Sequence, residues 1–405
     1  SVEVIAQRIC DVMLTIPGVD LTAIDAFMGP DEVIVIGGRL PGSFPISPGD
    51  VLPPDRAAYM HLNAARGPWT ERWPSANASR GWNDAMAASG VVASAFGPIV
   101  HGDHVAGILA IGTTDPRSAD LLVEQMPGLV AFSATASGLL AERIHARREA
   151  VEERRRLAGV IERQAFRPVF QPIVDIASGV PVAYEALTRF ESGELPDRCF
   201  RRAWQVGIGP ELELATLRAA LGAATRLPAT VPLHVNASAR LIEDGPGLRD
   251  VLAGLDRPVV LEITEHDPVA EYSSLRAKLR ELGPNVGVAV DDAGAGVANF
   301  GHIVELRPDA VKLDVSMVRG ISADLGRQAL VVGLAHFSGT AGCSLIAEGV
   351  ETDEDAATLA SLGVRLGQGF RWAAPSPVDE LLPGPPPVEV PQPIAPDSAV
   401  SSGGR

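Results

Sequence analysis

The run Val286-Gly287-Val288-Ala289-Val290-Asp291-Asp292 decides the fold. It is a short strand-like stretch that ends on two adjacent carboxylates, with Gly294 and Gly296 close behind as turn residues. Working outward in both directions, the same unit recurs. Downstream lie residues 310–314, 344–348 and 365–368, and upstream 259–263, 231–236, 182–188 and 168–174. Helical patterns over 211–225, 272–282, 323–337 and 353–362 separate most of them. Eight strands alternating with helices predict an α/β fold, a (β/α)8 TIM-type barrel. The first two strands are joined only by Ala177-Ser178-Gly179, too short for a parallel crossover, so one strand is expected to run antiparallel.

Barrel enzymes assemble their sites at the C-terminal ends of strands. Those ends carry Glu185, Asn236, Glu262, Asp291 with Asp292, Lys312, Glu348 and Gln368. One polar strand end means little, because strands stop where polar residues begin. Carboxylates converging from five positions would repel strongly unless a cation sat among them. Oxygen donors with one amide, and no Cys or His, suit hard octahedral ions, Mg²⁺ or Mn²⁺. Adjacent Asp291 and Asp292 could serve two such ions, the arrangement that in-line displacement at phosphorus needs. Read without that context, Lys312 could pair with Asp314 on its own strand face, Arg189 could be a surface ion pair, and Glu351 reads as a helix-start carboxylate.

The 405 residues suggest more than one domain. Residues 1–140 read as a mixed α/β unit: an amphipathic helix over 2–14, strands at 21–27, 32–37, 97–101 and 105–111, and a tight turn at Gly102-Asp103. A closing helix runs from near Asp120 toward Arg163. Within it Ser137, Ile144, Val151 and Ala158 fall on one heptad seam and Leu140, Arg147, Arg154 and Ile161 on the other, which suggests a signalling helix that pairs with its copy in a homodimer. The tail holds Pro383-Gly384-Pro385-Pro386-Pro387 and ends in Ser-Ser-Gly-Gly-Arg, a composition expected to stay disordered.

The formal net charge of -16 disfavours DNA and anionic lipid as partners, although a small anion responds to local charge. Cys10, Cys199 and Cys343 match no metal-ligand spacing; with no secretory leader ahead of them they read as reduced thiols, hence a cytoplasmic location. No apolar run approaches the roughly 20 residues that span a bilayer.

The residues themselves carry a resemblance. Tyr184-Glu185-Ala186-Leu187-Thr188-Arg189 resembles the signature of EAL domains, bacterial phosphodiesterases that linearise cyclic di-GMP. The likeness continues in order through Phe170-Gln171-Pro172-Ile173-Val174-Asp175, His234-Val235-Asn236-Ala237-Ser238, Leu261-Glu262-Ile263-Thr264-Glu265, Asp291-Asp292, Val311-Lys312-Leu313-Asp314, Ala347-Glu348-Gly349-Val350-Glu351-Thr352 and Gly367-Gln368-Gly369-Phe370. It implies that Glu185, Asn236, Glu262, Asp291 and Asp292 hold two ions and that Lys312 orients the attacking water. It makes Glu348 the candidate general base, with Glu185, Lys312 and Glu348 as the catalytic set. Gln171, Leu187, Arg189 and Gln368 would meet the substrate, Arg189 as a phosphate clamp, and Glu265 would anchor the loop that follows the paired aspartates.

That loop departs from the family pattern. Ala293-Gly294-Ala295-Gly296-Val297-Ala298-Asn299 keeps both glycines and loses the aromatic and hydroxyl residues. A second reading follows, a barrel that binds cyclic di-GMP as a catalytically weak effector or scaffold. The N-terminal part resembles a GAF sensor more loosely, with Trp69, Trp73 and Trp82 either lining a pocket for an unknown small ligand or stapling a loop to the core. The expected domains are a GAF-like sensor over 1–137, a helical signalling linker over 138–165, an EAL phosphodiesterase barrel over 166–376 and a disordered tail over 377–405.

Overall fold

A computed structural model describes residues 1–264, 268–294 and 300–381. The chain divides into two compact units: residues 1–158 with 205–207, and residues 159–204 with those from 208 onward.

In the first unit β1 (Leu21–Gly29), β2 (Glu32–Arg39), β3 (Trp69–Arg72), β4 (Ala93–His101) and β5 (His104–Thr113) form an antiparallel sheet in the order β2-β1-β5-β4-β3. The expected hairpin is the β4–β5 turn, where His101 faces His104 and Gly102 takes φ +56°. Strand alternation gives the sheet two buried faces. Ile24, Ala26 and Met28 join Ala6, Cys10 and Met13 of the first helix, Val2–Met13, and Leu129, Ala136, Leu140 and Ile144 of the long helix Met126–Glu162. Two residues of the expected heptad seam, Leu140 and Ile144, are thus consumed in packing this unit's own core. The opposite face, with Leu21, Ala23 and Phe27, packs against helices Pro54–Ala64 and Arg80–Ala88. Ala57, Met60 and Ala64 of the first of these helices and Trp82 and Met86 of the second fall at helical spacing, a signal too short to have entered the sequence reading.

The second unit is a closed barrel of β6 (Phe166–Asp175), β7 (Pro181–Phe190), β8 (Leu233–Asn236), β9 (Val259–Thr264), β10 (Val286–Ala293), β11 (Ala310–Leu313), β12 (Ser344–Ala347) and β13 (Leu366–Gly367). All eight fall where the sequence pattern puts them. β6 is antiparallel to both neighbours, β7 and β13, and every other pairing is parallel, as the three-residue turn requires. Helices Gly209–Ala224, Tyr272–Glu281, Leu325–Ala341 and Asp353–Ser361 match the expected ones, and Pro196–Gln205 is additional. The segment from 377, expected to be disordered, opens with a short helix, Val378–Leu381, whose Val378 is buried; the proline-rich stretch from 382 on lies outside the described residues.

Inside the barrel, Ile173, Ala183, Ala289, Ala310 and Ile346 form a small apolar layer. Ala183, Ala289, Ala310 and Ile346 each lie two positions before Glu185, Asp291, Lys312 and Glu348, so the period of two aims those polar side chains inward one layer higher. The apolar layer is the floor on which the polar one rests. No helix among the described residues is long and apolar enough to cross a membrane.

Candidate active site at the C-terminal mouth of the barrel

Lys312 is the centre of the polar layer. It is fully buried, and its Nζ lies 2.9 Å from Glu262 Oε2, 3.3 Å from Glu185 Oε2, 3.3 Å from Asp291 Oδ1 and 2.5 Å from Glu348 Oε1. Its partners are therefore these four acids. Asp314, the alternative partner, instead accepts from the Ser316 amide and starts the helix Val315–Val318. β11 supplies Lys312, while Glu185, Glu262 and Asp291 come from β7, β9 and β10 and Glu348 from the residue after β12, whose amide bonds to the Leu313 carbonyl.

The amides fill the remaining side of the ring. Gln368 Nε2 donates to Gln171 Oε1 at 2.9 Å and to Glu185 Oε2 at 2.6 Å, and Asn236 Nδ2 donates to Glu185 Oε1 at 3.4 Å. Gln171 Nε2 in turn donates to the Ala373 carbonyl. Gln368 is fixed by its backbone: its amide donates to Ala347 O and its carbonyl accepts from Val350 N. The next residue must be glycine, since a Cβ on Gly369 would collide with the Val350 backbone.

Buried like charges set the protonation pattern. Burial, reinforced by Glu185, holds the Glu262 carboxyl well above the usual range, and burial raises Asp291. Glu348 is pushed up to about 8 by burial, with Lys312 opposing. Asp292 rises to about 6, again chiefly through burial and then through Asp291. Glu185 moves the other way: Lys312 and Gln368 outweigh its burial and lower it. Asp292 adopts φ +58°, with its amide on Asp291 Oδ1 at 3.0 Å, a turn an aspartate tolerates better than most residues.

Oxygens of Glu185, Glu262 and Asp291 lie within 4.8 Å of one another, and so do those of Asp291, Asp292 and Glu348. Two acidic triads that share Asp291 fit hard divalent cations by donor type and by charge.

Leu187 and Arg189 lie further along β7 on the face that carries Glu185; both are half-buried, and Arg189 Nη1 donates to the Thr188 carbonyl. Glu265 and the altered loop residues 295–299 lie outside the described residues. Glu351 is not in the first turn of a helix: it pairs with Arg319, and Thr352 caps Asp353–Ser361.

Two residues belong to this site beyond those expected. His234 is buried, with Nδ1 2.8 Å from Glu262 Oε1, and burial lowers its pKa to about 3, so the ring is neutral. Its position two before Asn236 on β8 was the available signal. Glu213, on Gly209–Ala224, accepts from the Ser238 amide and hydroxyl and from Trp204 Nε1, fixing the turn just after Asn236. A carboxylate on an apolar helix face beside Leu212, Leu214 and Leu217 was its only trace in the sequence.

A family model for the EAL domain matches residues 153–375. The chain belongs to the EAL-domain family. Cyclic di-GMP phosphodiesterase PdeL of Escherichia coli (strain K12) is 27% identical over 237 residues, 55% of this chain and 66% of that protein. Cyclic di-GMP phosphodiesterase RocR of Pseudomonas aeruginosa is 27% identical over 235 residues, 54% of this chain and 59% of its own length. The chain thus spans less than two thirds of these curated relatives. Among solved structures, the PaMucR phosphodiesterase in its c-di-GMP complex superimposes with a TM-score of 0.50 and 26% identity, covering 57% of this chain and all of the other. The EAL domain protein from Listeria monocytogenes EGD-e, 22% identical with a TM-score of 0.50 over 55% of this chain and 93% of its own, shares the fold.

Proposed function

We propose that this EAL barrel hydrolyses one phosphodiester bond of cyclic di-GMP, giving linear pGpG, with two divalent ions, Mg²⁺ or Mn²⁺, and under control of the N-terminal unit as a GAF-like sensor. The observation that carries the reading is the ring of Glu185, Glu262, Asp291 and Glu348 around one buried lysine, with Asp292 and the amides of Asn236 and Gln368 at its edge. Burial and crowding raise the pKa of Glu262, Asp291 and Glu348, so without further cations these acids keep protons, and divalent ions that displace those protons are favoured. The named relatives and the c-di-GMP complex of PaMucR support the substrate.

Glu185, Asn236, Glu262 and Asp291 would hold the first ion, and Asp291 with Asp292 the second. When bound, such ions supply a water acidified toward neutral pH and positive charge against the phosphate oxygens. Lys312 would orient that water through its donor hydrogens, and Glu348, 2.5 Å from the Lys312 ammonium, would accept its proton once ionised. Arg189 would clamp a non-bridging phosphate pair with its planar fork, and Gln171, Leu187 and Gln368 would bound the rest of the nucleotide. Glu265 would anchor the loop beyond the aspartates. The protein would act in the cytoplasm as a homodimer, with a linker over 138–165 and a tail beyond 376.

The test is conversion of cyclic di-GMP by the purified chain with Mg²⁺, with Mn²⁺ and with chelator. Metal-dependent appearance of pGpG is expected. Tight binding without product over hours would replace the hydrolase with an effector.

A further inference from the structure

Among Glu185, Asn236, Glu262, Asp291 and Asp292, only Asn236 is exposed, so packing of its own side chain does not fix it. Its backbone has to. β8 ends at Asn236, and the next two residues tie that end down. The Ala237 amide donates to the Glu262 carbonyl at 3.0 Å, and the Ser238 amide and hydroxyl donate to Glu213 Oε2 at 3.0 and 3.1 Å.

Glu213 is itself oriented, because its Oε1 accepts from Trp204 Nε1. The Trp204 ring lies against Gly209, where a Cβ would collide with it, and the Arg240 guanidinium stands 5.6 Å over that ring. Arg240 follows Ser238 by two residues, so these four side chains close a circuit around the turn between Asn236 and the helix Ala239–Asp244. The helix start alone needs no such arrangement. Ser238 already caps it, its hydroxyl oxygen accepting from the Leu241 amide at 3.2 Å. Glu213 is 8% exposed, and burying a carboxylate costs stability unless donors compensate. What its place beneath Ser238 adds is a fixed position for the amide two residues after Asn236.

We propose that Glu213 is a positioning residue for ion binding: through Ser238 it holds the end of β8 so that Asn236 meets the first ion, with Trp204 setting the angle of the Glu213 carboxylate. The inference rests on the reading of Asn236 as an ion ligand.

The test is Mn²⁺ binding to the full chain, followed by electron paramagnetic resonance of the free ion, which needs no turnover. Glu213→Gln keeps the size and sets an N–H against one of the two donors. Partners that orient a metal ligand contribute about 10–100-fold, and Glu213 acts through a turn of backbone, so half-saturation should need roughly ten-fold more Mn²⁺. Trp204→Phe, which keeps a ring and loses the N–H, should shift it the same way by less. The decisive comparison is with Asn236→Ala: in that background Glu213→Gln should weaken binding no further. An equal loss in both backgrounds would show that Glu213 merely supports the barrel, and unchanged affinity in a folded Glu213→Gln chain would overturn the proposal outright. If circular dichroism shows Glu213→Gln unfolded, Trp204→Phe carries the same comparison with Asn236→Ala. A wild-type chain that binds Mn²⁺ and makes no pGpG sinks the hydrolase reading alone, whereas one that binds no Mn²⁺ sinks the ion reading and this inference with it.

Discussion

Lys312 Nζ lies 2.9 Å from Glu262 Oε2, and neither side chain reaches solvent. The same ammonium touches three further acids, so it is the only positive charge among the described residues that they share. Removing one partner of a buried ion pair leaves the other charge uncompensated, which costs about 3–5 kcal/mol. Lys312→Met should therefore lower the thermal midpoint of the barrel by roughly 10 °C in chelator. Millimolar Mn²⁺ should restore more of the midpoint in the variant than it adds to the wild type, because the ion replaces the missing charge. Calorimetric melting with and without Mn²⁺ measures both effects; a variant that melts with the wild type would show that the acids are already neutral.

Glu185 is held by three donors, Lys312, Gln368 and Asn236, and its lowered pKa keeps it ionised. Glu185→Ala deletes a candidate ion ligand while leaving the backbone of β7 paired on both sides. Hydrolysis of cyclic di-GMP should fall by about 10³-fold or more, on the scale of losing a principal electrostatic contact in a transition state, with a native circular dichroism spectrum. Turnover near the wild-type rate would remove Glu185 from the chemistry.

Much of this site was legible because two periodicities agreed. The period of two along each strand, and the rule that barrel sites form at strand C-termini, place Glu185, Glu262, Asp291 and Lys312 in one layer from sequence alone. Pair choice was not legible: Lys312 has Asp314 two residues away, yet takes partners from four other strand ends, because barrel closure brings those nearer than its own strand does. His234 was hidden by composition, since an oxygen-only donor set draws attention away from an imidazole that bonds to a ligand. The buried ion pair of Arg56 and Glu71, 3.0 Å apart in the N-terminal unit, was invisible for a different reason. The two residues sit on separate short elements, Pro54–Ala64 and β3, and only tertiary packing brings Arg56 to Glu71 and to the rings of Trp82 and Phe96.

Asp25 makes the stability of the N-terminal unit depend on pH in an unusual direction. Burial pushes its carboxyl from 3.8 up to about 7, with Arg56 opposing. The folded chain then keeps a proton that the unfolded chain gives up, so stability falls as pH rises from about 4 through 7 and levels off above. Each tenfold change in proton affinity is worth about 1.4 kcal/mol. The melting midpoint of this unit should drop between pH 5 and pH 8, and Asp25→Asn should flatten that slope. His61, whose pKa burial lowers, works in the opposite sense and is unchanged in the comparison. A slope identical in Asp25→Asn would place the titration elsewhere.

His234 should act as a positioning residue. Its Nδ1 meets Glu262 Oε1 while Lys312 meets Oε2, so the two hold the carboxylate plane from both sides. With its pKa near 3 the ring stays neutral at working pH, so a single hydrogen bond to Glu262, and no charge, is what it contributes. His234→Phe keeps the buried volume and loses the donor, leaving Glu262 free to turn. Partners that orient a metal ligand typically contribute about 10–100-fold to affinity or rate. The variant should lose kcat by that order and need more Mn²⁺ for half-maximal rate, while KM for cyclic di-GMP changes little. His234→Gln, which can restore an N–H, should recover part of the loss. Because no ionisation of the ring is involved, the pH profile between 5 and 8 should keep its shape in both variants. A changed profile would mean that His234 itself carries a proton in the reaction; an unchanged metal requirement would mean that the ring merely fills space.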